Sequence, residues 1–459
     1  MNRLNPLRLI RASTSQPKPT KLSVGGMLDH YGIFELCQPA TTQPPSFTVQ
    51  EKGKALVYVK EVSDNLNTHK PYQKVPWQLP TEPQNYGTQI DLWKEVSQCI
   101  YDHVDLAEEQ AYTVLTAWVF ASWLLEKWMI APYLFFFGSF ATGKTRALEV
   151  LSRVSMRGWL ALYTTAANIY RPLETWKASL FLDEAEIYGD KHEILGLLNA
   201  SYRKGQYVCR QTEKAEGYET EFFDCFGFKA IAGTKELART LQSRCIIFRT
   251  SQATRKIHFF INEQQCTQLR NKLLKWRFTT MLTEGTELTE GVWKRGEELV
   301  EQIGSQREVE LFYPLISVAP TKEIEEELIE YAKTASKQKM EELSLTTEST
   351  CLAAILEAKE LGYLQNGRMY VRDITKLINI TLTLDEQWRE RFTSGICSRL
   401  GFQKSKGAGG RAVIVWNEKL IERLKKDTRY ASCFIPPLPE PRSERSLPSR
   451  AQEWKDAMH

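Results

Sequence analysis

Apolar and polar positions along the chain change period several times, and each change predicts a different kind of element. Residues 1 to about 85 carry short alternating runs, such as Lys54–Glu61 (KALVYVKE), among Pro, Thr and Gln, and suggest no role. From Gln89 the spacing turns helical, first in DLWKEVSQCIYDHV and then in EEQAYTVLTAWVFASWLLEKW. The richest apolar stretch, Ala111–Gly138, is broken by Glu126 and Lys127 after about 15 residues, short of a membrane span. It predicts a buried helix and then a buried strand at Tyr133–Phe137 (YLFFF), a run too short for a helix and bounded by Pro132 and Gly138. Strands and helices alternate to about Arg249, and a long charged helical stretch covers Asn262–Lys339. The tail after Phe434 is rich in Pro, Ser and charge and is expected to be disordered. The predicted division is an N-terminal region of unknown role (1–85), an α/β core with a helical lead-in (86–260), a helical region (261–348), a small α+β domain (349–430) and a tail (431–459).

Composition narrows the class only slightly. With 42% apolar and 25% charged side chains in 459 residues, the chain is an ordinary globular protein and not a collagen-like, mucin-like or wholly disordered one. Sixty basic against 56 acidic residues give +4, which permits a nucleic-acid partner without arguing for one. Nine cysteines lie at irregular spacing with no CxxC, a poor disulfide framework and a poor zinc site. They read as reduced thiols packed as small apolar groups. The N-terminus, MNRLNPLRLIRASTSQPKPTK, lacks the apolar run of a signal peptide and reads as a mobile arm. The expectation is a cytoplasmic protein with no membrane contact.

The central motif is Gly138–Thr145, GSFATGKT, which matches GxxxxGK[ST] between a buried strand and the helical run KTRALEVLSRV. Gly138 and Gly143 let the backbone wrap so that successive N–H groups, through Ser139, Phe140, Ala141 and Thr142 to Arg146, face a phosphate at a helix N-terminus. Lys144 reaches the β- and γ-phosphates of ATP, and the Thr145 hydroxyl holds Mg²⁺. The second element is Ser179–Glu186, SLFLDEAE, an apolar strand ending in two carboxylates. Asp183 would hold the metal through water, and Glu184 would polarise the attacking water. Opening a solvated helix is the plainer use of such acids. An acid pair favours hydrolysis over transfer to a small acceptor, hence ATP turnover coupled to motion.

A further strand, Gly227–Thr234 (GFKAIAGT), is expected between these two elements, with Thr234 near the γ-phosphate; an ordinary strand end is the simpler account. Arg244, in SRCII before the short strand CIIFR, points away from its own site toward a neighbouring subunit, as an arginine finger does, or is a surface arginine.

The order GSFATGKT, SLFLDEAE, GFKAIAGT, LQSRCIIFR resembles the AAA+ ATPases, and most closely the branch of the minichromosome-maintenance (MCM) replicative helicases and their mobile-element relatives. Leu197–Arg210 (LLNASYRKGQYVCR) strengthens the likeness, with Lys204, Gly205 and Arg210 at the positions of that branch's basic-glycine turn and arginine. The family carries Asn where this chain has Gly233–Thr234, and its second sensor arginine has two candidates here, Arg270 and Arg277, neither assigned. The resemblance implies a ring, commonly a hexamer, with ATP between subunits and β-hairpins reaching a channel that carries single-stranded or forked DNA. Residues between Arg210 and Phe222 read equally well as such a hairpin, with Lys214 facing the channel, or as a surface loop.

The segment after Ser349 adds its own pattern. A helix over Thr350–Leu361 is followed by GRMYVRDITKLIN, a strand entering a helix, and by DEQWRERFTSGICSRLGF, read as one longer helix ending at Gly401. GFQKSKGAGGRAVIVW then reads as strand, glycine turn, strand. That is the winged-helix order, and residues 351–430 hold 15 Lys+Arg against 9 Asp+Glu, or +6. Arg389, Arg391 and Arg399 fall on the candidate recognition helix, and Lys404, Lys406 and Arg411 flank the wing, where they would neutralise DNA phosphates. A winged helix used for protein contact fits the same pattern. The whole reads as an ATP- and Mg²⁺-dependent DNA motor, a helicase or replication-initiation ATPase of a mobile or extrachromosomal element. An AAA+ remodeller of protein partners and an ATP-switched DNA-binding protein are the alternatives.

Overall fold

The computed structural model describes residues 18–28, 32–39, 43–161, 165–184, 192–214, 217–284, 290–344, 347–380, 382 and 387–434. Most of the expected N-terminal arm and the expected tail lie outside these residues. The chain divides into two compact units, 1–336 and 337–459.

Among the described residues the first unit opens with seven strands: β1 (Thr20–Ser23), β2 (Gly25–Leu28), β3 (Gly32–Cys37), β4 (Ser46–Glu51), β5 (Val57–Val59), β6 (Val62–Ser63) and β7 (Thr68–Pro71). They form an antiparallel sheet ordered β2-β3-β4-β5 and a smaller sheet ordered β1-β7-β6. Val24, Phe34, Leu36, Phe47, Val49 and Val62 fill the space between them. The alternating run at Lys54–Glu61 supplies only β5, because its first residues close a turn in which Lys54 N donates to Glu51 O (3.1 Å).

Helix α1 (Gln89–His103) starts at Thr88, whose hydroxyl accepts from Asp91 N while the Asp91 carboxylate accepts from Thr88 N. Helix α2 (Gln110–Ser122) is buried almost all round, which accounts for its lack of polar stripe. There follow β8 (Tyr133–Phe137), α3 (Lys144–Val154), β9 (Trp159–Ala161), α4 (Ala167–Trp176), β10 (Leu180–Leu182), α5 (His192–Ala200), β11 (Val208–Lys214), β12 (Gly217–Phe223), β13 (Lys229–Gly233), α6 (Arg239–Gln242) and β14 (Cys245–Arg249). Five of these strands make one parallel sheet, ordered β14-β8-β13-β10-β9. The fold is therefore mixed α/β, and the continuous burial of YLFFF follows from its place inside that sheet. Strand β13 lies between β8 and β10, as expected from the motif order. The charged stretch beyond is divided into α7 (Glu263–Glu284), α8 (Glu290–Ile303), α9 (Gln306–Ile316) and α10 (Lys322–Ser344).

The second unit contains α11 (Thr347–Glu360), β15 (Arg368–Tyr370), α12 (Val371–Ile380), α13 (Glu390–Arg399), β16 (Gln403–Lys406), β17 (Ala412–Val415) and α14 (Glu418–Lys426). Its antiparallel sheet is ordered β15-β17-β16, over a core that includes Leu352, Ile355, Ile374, Ile396 and Ile414. The third helix is shorter than expected. Asn379 accepts from Trp388 N (2.7 Å) and donates to Trp388 O (3.0 Å), which holds the chain extended there. Helix α13 therefore begins at Glu390, and Arg389 is its extended N-cap and not a helical residue. None of the described helices is long and apolar enough to cross a membrane. The described cysteines are all free thiols, most of them buried.

Candidate active site

The loop 138–143 leaves the C-terminal end of β8 and enters α3. Gly143 caps that helix at φ 84°, a left-handed conformation that glycine adopts without penalty. A Cβ on Gly143 would meet nothing within 4 Å, so its outer side is open. Gly138 is needed for the opposite reason: a Cβ there would lie 2.4 Å from Thr250 Oγ1 and 2.5 Å from Thr250 O. Thr250, one residue beyond β14, donates its N–H to Phe137 O (2.8 Å), and its hydroxyl meets Thr142 Oγ1 at 2.8 Å. Thr142 in turn donates to Ser139 O (2.8 Å). The loop is thus braced from the strand beside it. Sequence reasoning passed over Thr250; the available signal was a hydroxyl one step past a strand that neighbours the loop strand.

Lys144 folds over this loop, its ammonium donating to Gly138 O (2.9 Å) and Ser139 O (2.5 Å). Thr145 Oγ1 donates to Asp183 Oδ2 at 2.7 Å, joining the start of α3 to the tip of β10. Glu184 follows at φ 54°, its N–H donating to Asp183 Oδ1 (2.9 Å), and its side chain is exposed. A non-glycine residue in that region is a strained turn, which here bends the chain off the strand tip. Thr234 directly follows β13, whose last residue accepts from Gly138 N (3.3 Å). Lys144, Thr145, Asp183, Glu184 and Thr234 are thus gathered at one end of the parallel sheet.

A hydroxyl beside a carboxylate is an oxygen donor pair that could take a magnesium ion, and a glycine loop entering a helix N-terminus could take a phosphate. The residues present fit both groups. Arg146 donates to Glu149 Oε2 (3.2 Å) and to Phe259 O (2.5 Å). Phe140, Phe259 and Phe260 are each more than three-quarters exposed near this mouth.

Arg244 lies at the other end of the sheet. Its carbonyl accepts from Tyr133 N at the start of β8, a strand length of roughly 16 Å from the loop at 3.3 Å per residue. It cannot reach the loop of its own chain. Its guanidinium donates to Thr240 O and sits 5.6 Å from the Tyr202 ring centre, with Arg307 at 4.6 Å from the same ring. Burial, and then the charge of Arg307, lower its pKa. Lys204 is near this end, its amine donating to Glu126 O (3.1 Å) in a turn where Gly205 takes φ 83°.

Strands β11 and β12 pair antiparallel from Val208↔Phe223 to Lys214↔Gly217, so the region after Arg210 is a hairpin and not an irregular loop. Arg210 is held at its base, 3.7 Å from Glu193 and over the Tyr170 ring. The side chain of Lys214 lies outside the described residues. The two sensor candidates are both committed elsewhere. Arg270, 3% exposed, donates to Arg153 O (2.6 Å), and Arg277, 0% exposed, is paired with Glu126 (2.7 Å). In the second unit Arg391, Arg399, Lys404, Lys406 and Arg411 are exposed, as is Arg389, and Arg399 lies 3.4 Å from Glu348.

No family model and no curated protein matches the chain. Solved structures similar to it include "SCCmec type IV Cch - active helicase" at 11% identity, covering 88% of this chain and 80% of that one with a TM-score of 0.41. A full-length MCM homolog from Methanopyrus kandleri is 13% identical, covering 66% and 77%, with a TM-score of 0.34. The Aeropyrum pernix ORC2 protein (ADPNP-ADP complexes) is 12% identical, covering 74% and 98%, with a TM-score of 0.23.

Proposed function

We propose that the protein is an ATP- and Mg²⁺-dependent ATPase acting on DNA, an MCM-like helicase or replication-initiation ATPase of a mobile or extrachromosomal element that works as a ring, commonly a hexamer. The observation that carries this reading is the 2.7 Å contact between Thr145 and Asp183 beside the open glycine loop. It brings a hydroxyl and a carboxylate 38 residues apart to one point at a helix N-terminus, where together they could hold a metal ion.

In this reading the backbone from Gly138 to Arg146 wraps the triphosphate, and Lys144 leaves the carbonyls of Gly138 and Ser139 for the phosphate oxygens. Thr145 and Asp183 would hold Mg²⁺, whose charge would neutralise that of the phosphates. Glu184 orients the attacking water, and Thr234 hydrogen-bonds to it. Arg244, too distant for its own loop, stabilises the γ-phosphate of a neighbouring subunit. The second unit is read as a winged helix that grips DNA through Arg391, Arg399, Lys404, Lys406 and Arg411, and the β11–β12 hairpin, with Lys204, Arg210 and Lys214 around it, as a channel element.

The test is ATP turnover with and without single-stranded and forked DNA, followed by strand displacement. Stimulation with displacement is the expected result. Stimulation alone would leave a DNA-gated switch, and indifference to DNA would leave a protein remodeller. Lys144→Ala should abolish turnover. Mixing Lys144→Ala with Arg244→Ala subunits should restore part of it, since each supplies what the other lacks; a mixture as inactive as its components would sink the role in trans.

A further inference from the structure

Helix α13 buries Thr393, Ile396 and Cys397 and turns its other face outward. On that face Arg391, Phe392, Gly395 and Arg399, together with Gln387, Trp388 and Arg389 just before the helix, line an open groove of about 870 Å³. Three features distinguish it from an ordinary solvated helix. The rings of Trp388 and Phe392 meet at 90° with centroids 4.9 Å apart, forming a corner, and Phe392 is 46% exposed although a core lies one helix face away. Asn379 holds both the N–H and the carbonyl of Trp388, which fixes the backbone that carries the first ring. Gly395, one turn from Phe392, has nothing within 4 Å of a would-be Cβ. Glycine weakens a helix interior relative to alanine, and no packing contact requires it here. What it provides is a bare patch of backbone between Arg391 and Arg399.

A planar, uncharged ring tied to a phosphate fits such a surface. One wall of the corner offers a face for stacking, the bare helix admits a close approach, and the three arginines meet the backbone charge. Gln387 and the arginines could also meet the base edges of a duplex, but an exposed aromatic corner has no partner in a stacked duplex and favours an unpaired base. We propose that this face binds an unpaired base of single-stranded DNA. The proposal rests on the reading of the protein as a DNA-acting ATPase and names where an opened strand is held.

The experiment is fluorescence anisotropy of labelled single-stranded and duplex oligonucleotides with the full chain. Phe392→Leu keeps an apolar side chain but removes the π face; it should weaken single-strand binding roughly tenfold, about one stacked base, and leave duplex binding unchanged. Gly395→Ala should raise thermal stability yet weaken single-strand binding several-fold, a combination that a purely structural role would not produce. Unchanged single-strand affinity in both variants, or equal losses for single strand and duplex, would overturn the proposal. Lys404→Ala with Lys406→Ala on the wing separates the two levels. If these weaken binding while Phe392→Leu does not, the DNA reading stands and this face fails; if the chain binds neither form of DNA, both fail.

Discussion

Removing the Glu126 carboxylate should cost more than removing the arginine it binds. Arg277 is 0% exposed, and its guanidinium donates to Glu126 Oε1 and Oε2 at 2.7 and 2.8 Å and to Trp123 O at 2.5 Å. Its other acid, Glu35, is 3.8 Å away and already held in two bonds of 2.6 and 2.7 Å by Arg157. Glu126→Gln therefore leaves two buried guanidinium groups on one carboxylate. Breaking a buried pair costs about 3–5 kcal/mol, and the 26% exposure of Glu126 places this case at the low end, about 3 kcal/mol. Arg277→Met leaves a carboxylate that water can still reach, and should cost about 1–2 kcal/mol. At about 2 °C per kcal/mol for a large domain, the melting temperatures should fall by roughly 6 °C and 3 °C in calorimetry. Burial alone would raise the Glu126 pKa, but the Arg277 charge and hydrogen bonds outweigh it and hold the carboxyl at about 2, against 4.5 unperturbed. A depressed carboxyl stabilises above its unfolded pKa and loses that contribution as pH falls through the folded value. The gap between the wild-type protein and Glu126→Gln should thus close between about pH 4.5 and pH 2. The reasoning fails if Arg277→Met is the more damaging variant, or if the gap does not depend on pH in that window.

Gly138→Ala should raise the dissociation constant for nucleotide at least tenfold in titration calorimetry, because its methyl group meets both the hydroxyl and the carbonyl of Thr250 at about 2.5 Å; unaltered affinity would mean that the brace does not shape the loop. Lys229, fully buried among the carbonyls of Cys225 and Gly227, is pushed by burial down to about 7 from 10.5. The unfolded chain keeps that proton to higher pH, so folding stability should rise with pH between about 7 and 10.5, by at most roughly 1.4 kcal/mol per unit. Lys229→Met should flatten that slope in urea denaturation, and an equal slope in both proteins would refute the assignment.

The loop at Gly138–Thr145 was legible because its determinants are local. An apolar strand, two glycines at set spacing and a helix-forming run fix a tight strand-to-helix loop within about a dozen contiguous residues. The apolar strands SLFL and FKAIA, the hairpin glycine at 217 and the glycine turn at 407–410 are likewise set by nearest neighbours. Helix ends were less legible. Nothing near Trp388 in the sequence says that Asn379 will capture its backbone and start α13 late, because that choice depends on a helix packed against it. Pairings across long stretches were not legible at all. The brace of Thr250 on Thr142, the burial of Arg277 against Glu126 and the contact of Arg244 with Tyr202 join residues 108, 151 and 42 apart. A single chain carries no periodicity for such partners. Only the folded sheet, by setting β14 beside β8 and β13 between β8 and β10, decides which distant side chains share a site and which, like Arg244, are left a strand length away.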